Sequence, residues 1–258
     1  MKLRAILFAC AIPVLLSSCS QVFSPALYHQ DVAYQPKPTS FDTVKNRTYL
    51  SGGFGAYAGA NYNDALAGGQ LNISRGHEFN HFNLAYGAFG MLGNYDHETG
   101  SKPNTITDFK DKSFGAIGGR VSANLFTTSD NADFRYIGFE AIYSHEFGDY
   151  ANFRQAYYQA SPANYVDART DLLTAGLTTE VIFHSRRNKT IQHGIRGFLG
   201  TTFGNNNLES VYYKDQESAG KFFRAVFPKA AYFVTFKNYF ATADVDITSF
   251  MFRFGLKF

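Results

Sequence analysis

Ser249-Phe250-Met251-Phe252-Arg253-Phe254-Gly255-Leu256-Lys257-Phe258 ends the chain, and its reading decides the fold. Phe250, Phe252, Phe254, Leu256 and Phe258 occupy alternate positions, with Arg253, Gly255 and Lys257 between them. Successive side chains of a strand point to opposite faces, so one face here is continuously apolar and the other is mixed. A final strand of this kind can pair with the first strand of its sheet and close it. Closure leaves no unsatisfied backbone edge in lipid.

The same period of two runs upstream from Tyr49. Leu50, Phe54, Ala56, Ala58, Ala60 and Tyr62 oppose Ser51, Gly53, Gly55, Gly59 and Asn61. Ile117, Val121, Ala123 and Leu125 oppose Arg120, Ser122 and Asn124; Leu173, Ala175, Leu177, Val181 and Phe183 oppose Thr174, Thr178 and Glu180. Short polar turns at 75–78, 128–133, 185–189 and 236–238 interleave with long loops at 95–112, 149–169 and 205–220. Short turns on one side and long loops on the other are the habit of membrane barrels, and the strands are long enough to cross lipid. A soluble sandwich would put its apolar faces inside and its charges outside. The expectation is an all-β, antiparallel transmembrane barrel of about ten strands over residues 49–258, with eight or twelve as alternatives because 239–245 makes a short strand. An even count puts both ends of the barrel on the short-turn side.

The last strand resembles the closing-strand signature of Gram-negative outer-membrane barrels. That resemblance implies recognition by their barrel-insertion machinery and, with Trp absent, a girdle of Tyr and Phe at the membrane interfaces. A second resemblance lies at the N-terminus. Lys2 and Arg4 precede the apolar stretch 5–16, too short to span a bilayer as a helix. It ends in Leu16-Ser17-Ser18-Cys19, which resembles the bacterial lipobox. The resemblance implies cleavage of residues 1–18 and acylation of Cys19, with palmitate among the acyl groups, in an outer-membrane lipoprotein of a Bacteroidota-like cell. Ser20 rather than Asp after the cysteine favours the outer membrane. Cys10 leaves with the signal, so no disulfide or Cys-based metal site is expected. Residues 19–48, with Ser24-Pro25 and Gln35-Pro36-Lys37-Pro38-Thr39-Ser40, read as the acylated cysteine and a solvated tether.

Composition fits this picture. Of the 258 residues, 45% are apolar and 17% aromatic, with Gly 23, Tyr 17 and Phe 27. Mean hydropathy of −0.22 is too low for a bundle of membrane helices. The net charge of +3 falls to +1 once Lys2 and Arg4 are removed, which leaves no argument for a nucleic-acid partner.

Candidates for chemistry are few. Arg120, Glu140, Glu180, Arg196, Lys229 and Arg253 fall on the lumen face, with Glu146 and Asp244 as further candidates. Mixed charges in a small closed barrel read as a packed, ion-paired interior, or alternatively as a narrow aqueous path. His77-Glu78-Phe79-Asn80-His81 carries the letters of the HExxH zinc motif, but that motif needs a helix and this stretch sits at a turn between strands. His184 has inward parity; His145 and His193 have outward parity. Tyr150–Tyr165, with Phe153, Arg154, Tyr157 and Tyr158, and Leu208–Lys214 read either as a binding surface or as interfacial aromatics. No catalytic constellation, metal set or cofactor motif emerges. The expected role is structural or interaction-based, with outer-membrane lipid and other envelope proteins as partners. A narrow solute channel and a lipid-modifying enzyme are the alternatives.

Overall fold

The computed structural model describes residues 22–58, 64–97, 109–160, 165–185, 191–204 and 226–258. The signal segment, the lipobox and Cys19 lie outside the described residues, as do Gly59–Tyr62 and Leu208–Lys214. Strands β2 (Asn46–Ala58), β3 (Asp64–Glu78), β4 (Phe82–His97), β5 (Phe109–Ser129), β6 (Ala132–Phe147), β8 (Asp171–His184), β9 (Ile191–Thr202), β10 (Phe227–Phe236), β11 (Tyr239–Val245) and β12 (Ser249–Lys257) form the wall. Helix α1 (Asp149–Ala160) and the two-residue strands β1 (Val22–Phe23) and β7 (Tyr165–Val166) complete the described elements.

The ten wall strands close into an antiparallel barrel, each paired with its neighbours in sequence. Closure runs through β12 on β2, where Phe252 faces Phe54 and Arg253 faces Gly53. The C-terminal strand therefore does what its alternation implies: its aromatic face lies on the outside, and Met251, Arg253 and Lys257 are buried inside. The terminal hydrogen bonds are also made, with Phe258 N–H donating to Thr48 O at 2.9 Å. Antiparallel neighbours need no crossover connection, so period-two segments taken in chain order can close the sheet.

The two faces of the wall differ sharply. Leu71, Leu92, Phe54, Ile117 and Leu177 all turn more than half of their surface outward. Left in water, each such side chain would forgo about 1.5–3 kcal/mol of burial, so the band is suited to acyl chains. Inside stand Ser51, Gln70, Asn72, Ser122, Asn124, Thr174 and Thr178, all buried.

Alternation breaks once with consequence. Between Arg135 and Gly138 the register of β6 against β8 shifts. Tyr136 and Ile137 both face outward, and the bulge turns Arg135 and Asp133 into the lumen. Strict alternation carried back from Glu140 would have put both outside.

The lumen and the segment that fills it as the candidate functional site

Residues 23–39 do not behave as a solvated tether. Every one is buried except Tyr28 and His29, which are partly so. The stretch lacks periodicity because its backbone joins no wall strand; lumen side chains meet its backbone at Leu27, Asp31, Tyr34 and Pro38 instead. A segment rich in Pro, Gln and Ser has the composition of a linker and, in a polar cavity, equally that of a plug.

Its contacts follow the chain down the barrel in order. At the long-loop mouth β1 pairs in parallel with β7, and Asp167 N–H donates to Phe23 O at 2.8 Å. Phe23 packs its ring edge-on against His97 (5.0 Å), Phe153 (5.1 Å) and Tyr157 (5.6 Å). The Tyr150 hydroxyl donates to Ser24 O at 2.8 Å, and Leu27 N–H donates to Glu146 Oε1 at 2.6 Å. Gln30 reaches Thr248 at 2.9 Å. In mid-lumen Arg120 donates twice to Asp31 O, at 3.0 and 2.8 Å, and the Asp31 carboxylate accepts from Thr174 at 3.0 Å and Ser144 at 3.3 Å. Tyr34 makes three hydrogen bonds to the wall: its N–H donates to Asp244 (2.7 Å), its carbonyl accepts from Arg253 (2.8 Å) and its hydroxyl donates to Glu180 (2.9 Å). Its ring stacks on Phe233 with centroids 4.4 Å apart. Towards the short turns Arg135 donates to Pro38 O at 2.7 Å, Ser40 N–H donates to Asp133 at 2.8 Å, and Gln192 donates to Thr39 Oγ1 at 3.1 Å. Lys257 lies 3.5 Å from Asp42, and Lys45 lies 2.8 Å from Glu78.

All the charged residues assigned to the lumen face are buried. Arg120 donates to Asn72 at 2.7 Å and stacks its guanidinium 3.9 Å from the centre of the Phe89 ring. Glu140 pairs with Arg196, and Glu180 takes both contacts from Arg135 Nη1 at 2.9 Å. Arg253 pairs with Asp244 at 2.8 Å, and Lys229 with Asp246 at 3.2 Å. Glu146 is paired with Arg154 at 2.6 Å. Asp246 itself lies in the β11–β12 turn at the long-loop mouth. Burial works against its ionisation, but the Lys229 ammonium and the Ser249 and Thr248 donors outweigh it and hold the carboxyl below its ordinary range.

Interior residues that parity and spacing do not show include Arg135 and Arg154. Arg135 is hidden by the β6 bulge. Arg154, in a stretch that reads as a binding surface or as interfacial aromatics, is instead fully buried on the inner side of α1, donating to Asp167 O, Arg169 O at 3.0 Å and Glu146. Tyr150 is buried with it, while Tyr158 stays exposed. The helix starts where Gly148 takes a positive φ of 105°, a turn that β-carbon-bearing residues rarely make, and this folds the loop back over the mouth. The residues spelling HExxH do not share a helix: His77 and Glu78 end β3, and Phe79–His81 form the turn. His77 is hydrogen-bonded to Asn46 at 2.8 Å and Glu78 is taken by Lys45. His184 is inward and packs on Phe41 with ring centroids 3.7 Å apart.

Two cavities of about 10 Å³ each flank the segment, one among Tyr34, Gln35, Arg120 and Arg253, the other among Tyr34, Lys37, Gln192 and Lys257. Each has room for about one water molecule. The class defined by this arrangement is a transmembrane β-barrel of the outer-membrane type with its own N-terminal segment packed in the lumen.

Two solved structures align with most of the chain. The translocator domain of autotransporter NalP from Neisseria meningitidis aligns over 85% of this chain and 90% of its own, at 8% identity and a TM-score of 0.32. CdiB from Acinetobacter baumannii aligns over 84% of this chain, at 8% identity and a TM-score of 0.27; the aligned part is 60% of CdiB. No protein-family model matches the chain, and no curated protein matches it.

Proposed function

We propose that this chain is an outer-membrane lipoprotein, acylated at Cys19, whose barrel is a sealed structural or interaction module of the cell envelope. The observation that carries the reading is the occupied lumen: residues 23–42 fill it and engage the wall from one mouth to the other. A conduit needs a continuous wet path, and the two cavities beside Tyr34 are each of single-water size. The work of such a barrel falls to its surfaces: the aromatic outer band toward lipid, and the long-loop mouth, where α1 presents Tyr158, toward envelope partners. Catalysis and cofactor binding form no part of this reading. The aromatic face of β12 is the feature that barrel-insertion machinery would read.

Planar-bilayer recording of the purified protein tests the sealed lumen. The expected result is the absence of discrete conductance steps at potentials the bilayer tolerates. Steady single-channel openings from the intact chain would replace the scaffold with the narrow-channel reading. Mass spectrometry of the mature N-terminus tests the lipid: a diacylglyceryl-modified Cys19 is expected, and an unmodified residue there would remove the lipoprotein assignment.

A further inference from the structure

We infer that the chain is threaded through its own barrel from Val22 at the long-loop mouth to β2 at the short-turn mouth, so that a lipid on Cys19 would anchor in the outer leaflet. The direction is set by the order of contacts. Phe23, Ser24 and Leu27 meet β7, Tyr150 and Glu146 at the long-loop mouth. Asp31 and Tyr34 meet Arg120, Glu180 and Arg253 midway. Ser40 and Asp42 meet Asp133 and Lys257 at the short-turn mouth, where β2 then begins at Asn46. Long loops face the cell exterior in barrels of this kind, and short turns face the periplasm.

Chain length makes the placement exclusive. Cys19 is three residues from Val22. Three residues reach at most about 11 Å when fully extended. The apolar band of a membrane barrel is about 25 Å tall. Cys19 therefore cannot return to the periplasmic interface around the outside of the wall, and the inside is already taken by residues 23–42. Acyl chains attached there have one apolar medium within reach, the outer leaflet beside the long loops.

The threading stands on the structure alone; the position of the lipid rests also on the acylation proposed above. The test separates the two. Gln21→Cys and, as a control, Asp130→Cys in the β5–β6 turn are expressed singly in the full chain. Each is treated with a membrane-impermeant maleimide on intact and on permeabilised cells, with the parent chain as blank. Acylation of Cys19 is read by mass spectrometry from the same preparations, and a boiled-against-unboiled gel shift confirms folding. Expected is equal labelling of Gln21→Cys in both conditions, and at least a tenfold rise for Asp130→Cys on permeabilisation. Labelling of Gln21→Cys only after permeabilisation overturns the threading, whatever the state of Cys19. Labelling on intact cells without acylation keeps the threading and removes the lipid. An epitope inserted after Gln21 and detected by antibody on intact cells gives an independent readout, and its detection only in permeabilised cells overturns the threading in the same way.

Discussion

The wall and the segment it encloses are built on opposite principles. Each wall strand is held by two backbone ladders, so its hydrogen bonds are repeated along its length and do not depend on side-chain identity. The enclosed segment has no ladder beyond the two-residue pairing of β1 with β7. It is held by individual side chains, many of them charged and desolvated: Glu146, Arg120, Asp244, Arg253, Glu180 and Arg135. Redundancy makes the wall tolerant, whereas a buried charge left without its partner is among the costliest defects a protein can carry. Substitution should therefore be felt inside the lumen far more than on the outer face, and the two regions should be separable by experiment.

The sharpest way to separate them is to remove the segment. Deleting residues 23–42 leaves the ladders intact and takes away the filling. The expected result is a chain that still shifts on heating but now shows discrete conductance steps, a change from none to many. A deletion that stays electrically silent while keeping its heat shift would mean that the remaining side chains collapse and reseal the lumen.

Next in size is the loss of one member of a buried pair. Glu180 accepts from Arg135 and from Tyr34, and all three are buried. Glu180→Ala leaves the Arg135 guanidinium with the Pro38 carbonyl alone among these partners. Unfolding in detergent by urea should show a loss of about 3–5 kcal/mol, the usual cost of orphaning a buried charge. Arg135→Met with Glu180→Met should recover much of that loss, because the charge and its partner leave together. A double variant as unstable as the single one would show that the pair's contribution lies in its packing.

Tyr34→Phe probes the same cluster more gently. The ring keeps its stacking on Phe233, and only the hydroxyl donor to Glu180 is lost. About 1.5–3 kcal/mol is expected in the same urea measurement, the range for hydrogen bonds to charged groups. A shift below 0.5 kcal/mol, within the scatter of surface substitutions, would place the hold of the segment elsewhere.

The contrast also explains what the amino-acid sequence reveals. A wall that meets lipid on one side and polar groups on the other must alternate, and so Phe250 to Phe258, Leu173 to Phe183 and the rest announce their faces. Arg120, Glu140, Glu180, Arg196, Lys229 and Arg253 follow by parity. The enclosed segment has no such signature, since Gln35-Pro36-Lys37-Pro38 would look the same in water. Its partners were visible and its own place was not. Asp31 and Tyr34 give no warning in a stretch that reads as a linker, because a linker asks nothing of its residues. Parity fails again at the Tyr136–Ile137 bulge, where one extra residue moves Arg135 from outside to inside. Arg154 is a third case: its partner Glu146 lies in a strand and its own helix in a loop, and sequence spacing does not show that the loop folds back.

The smallest effect comes from glycines, and it compares the two faces of a single sheet. Gly53 lies opposite Arg253 at the closing seam, and a β-carbon there would run into the carbonyl of Phe252 and the Arg253 backbone. Backbone atoms of a paired strand cannot rotate away, so Gly53→Ala must displace the seam itself. Gly90, in β4, has nothing within 4 Å of where its β-carbon would stand. Gly90→Ala should change stability by no more than about 0.5 kcal/mol, and in the stabilising direction if the unfolded chain's lost freedom dominates. Gly53→Ala should cost about 1–3 kcal/mol, as overpacked positions do. The urea midpoints of the two variants, measured side by side, check the asymmetry. If they coincide, the seam between β12 and β2 is looser than its register implies, and closure would depend on the enclosed segment as much as on the ladder.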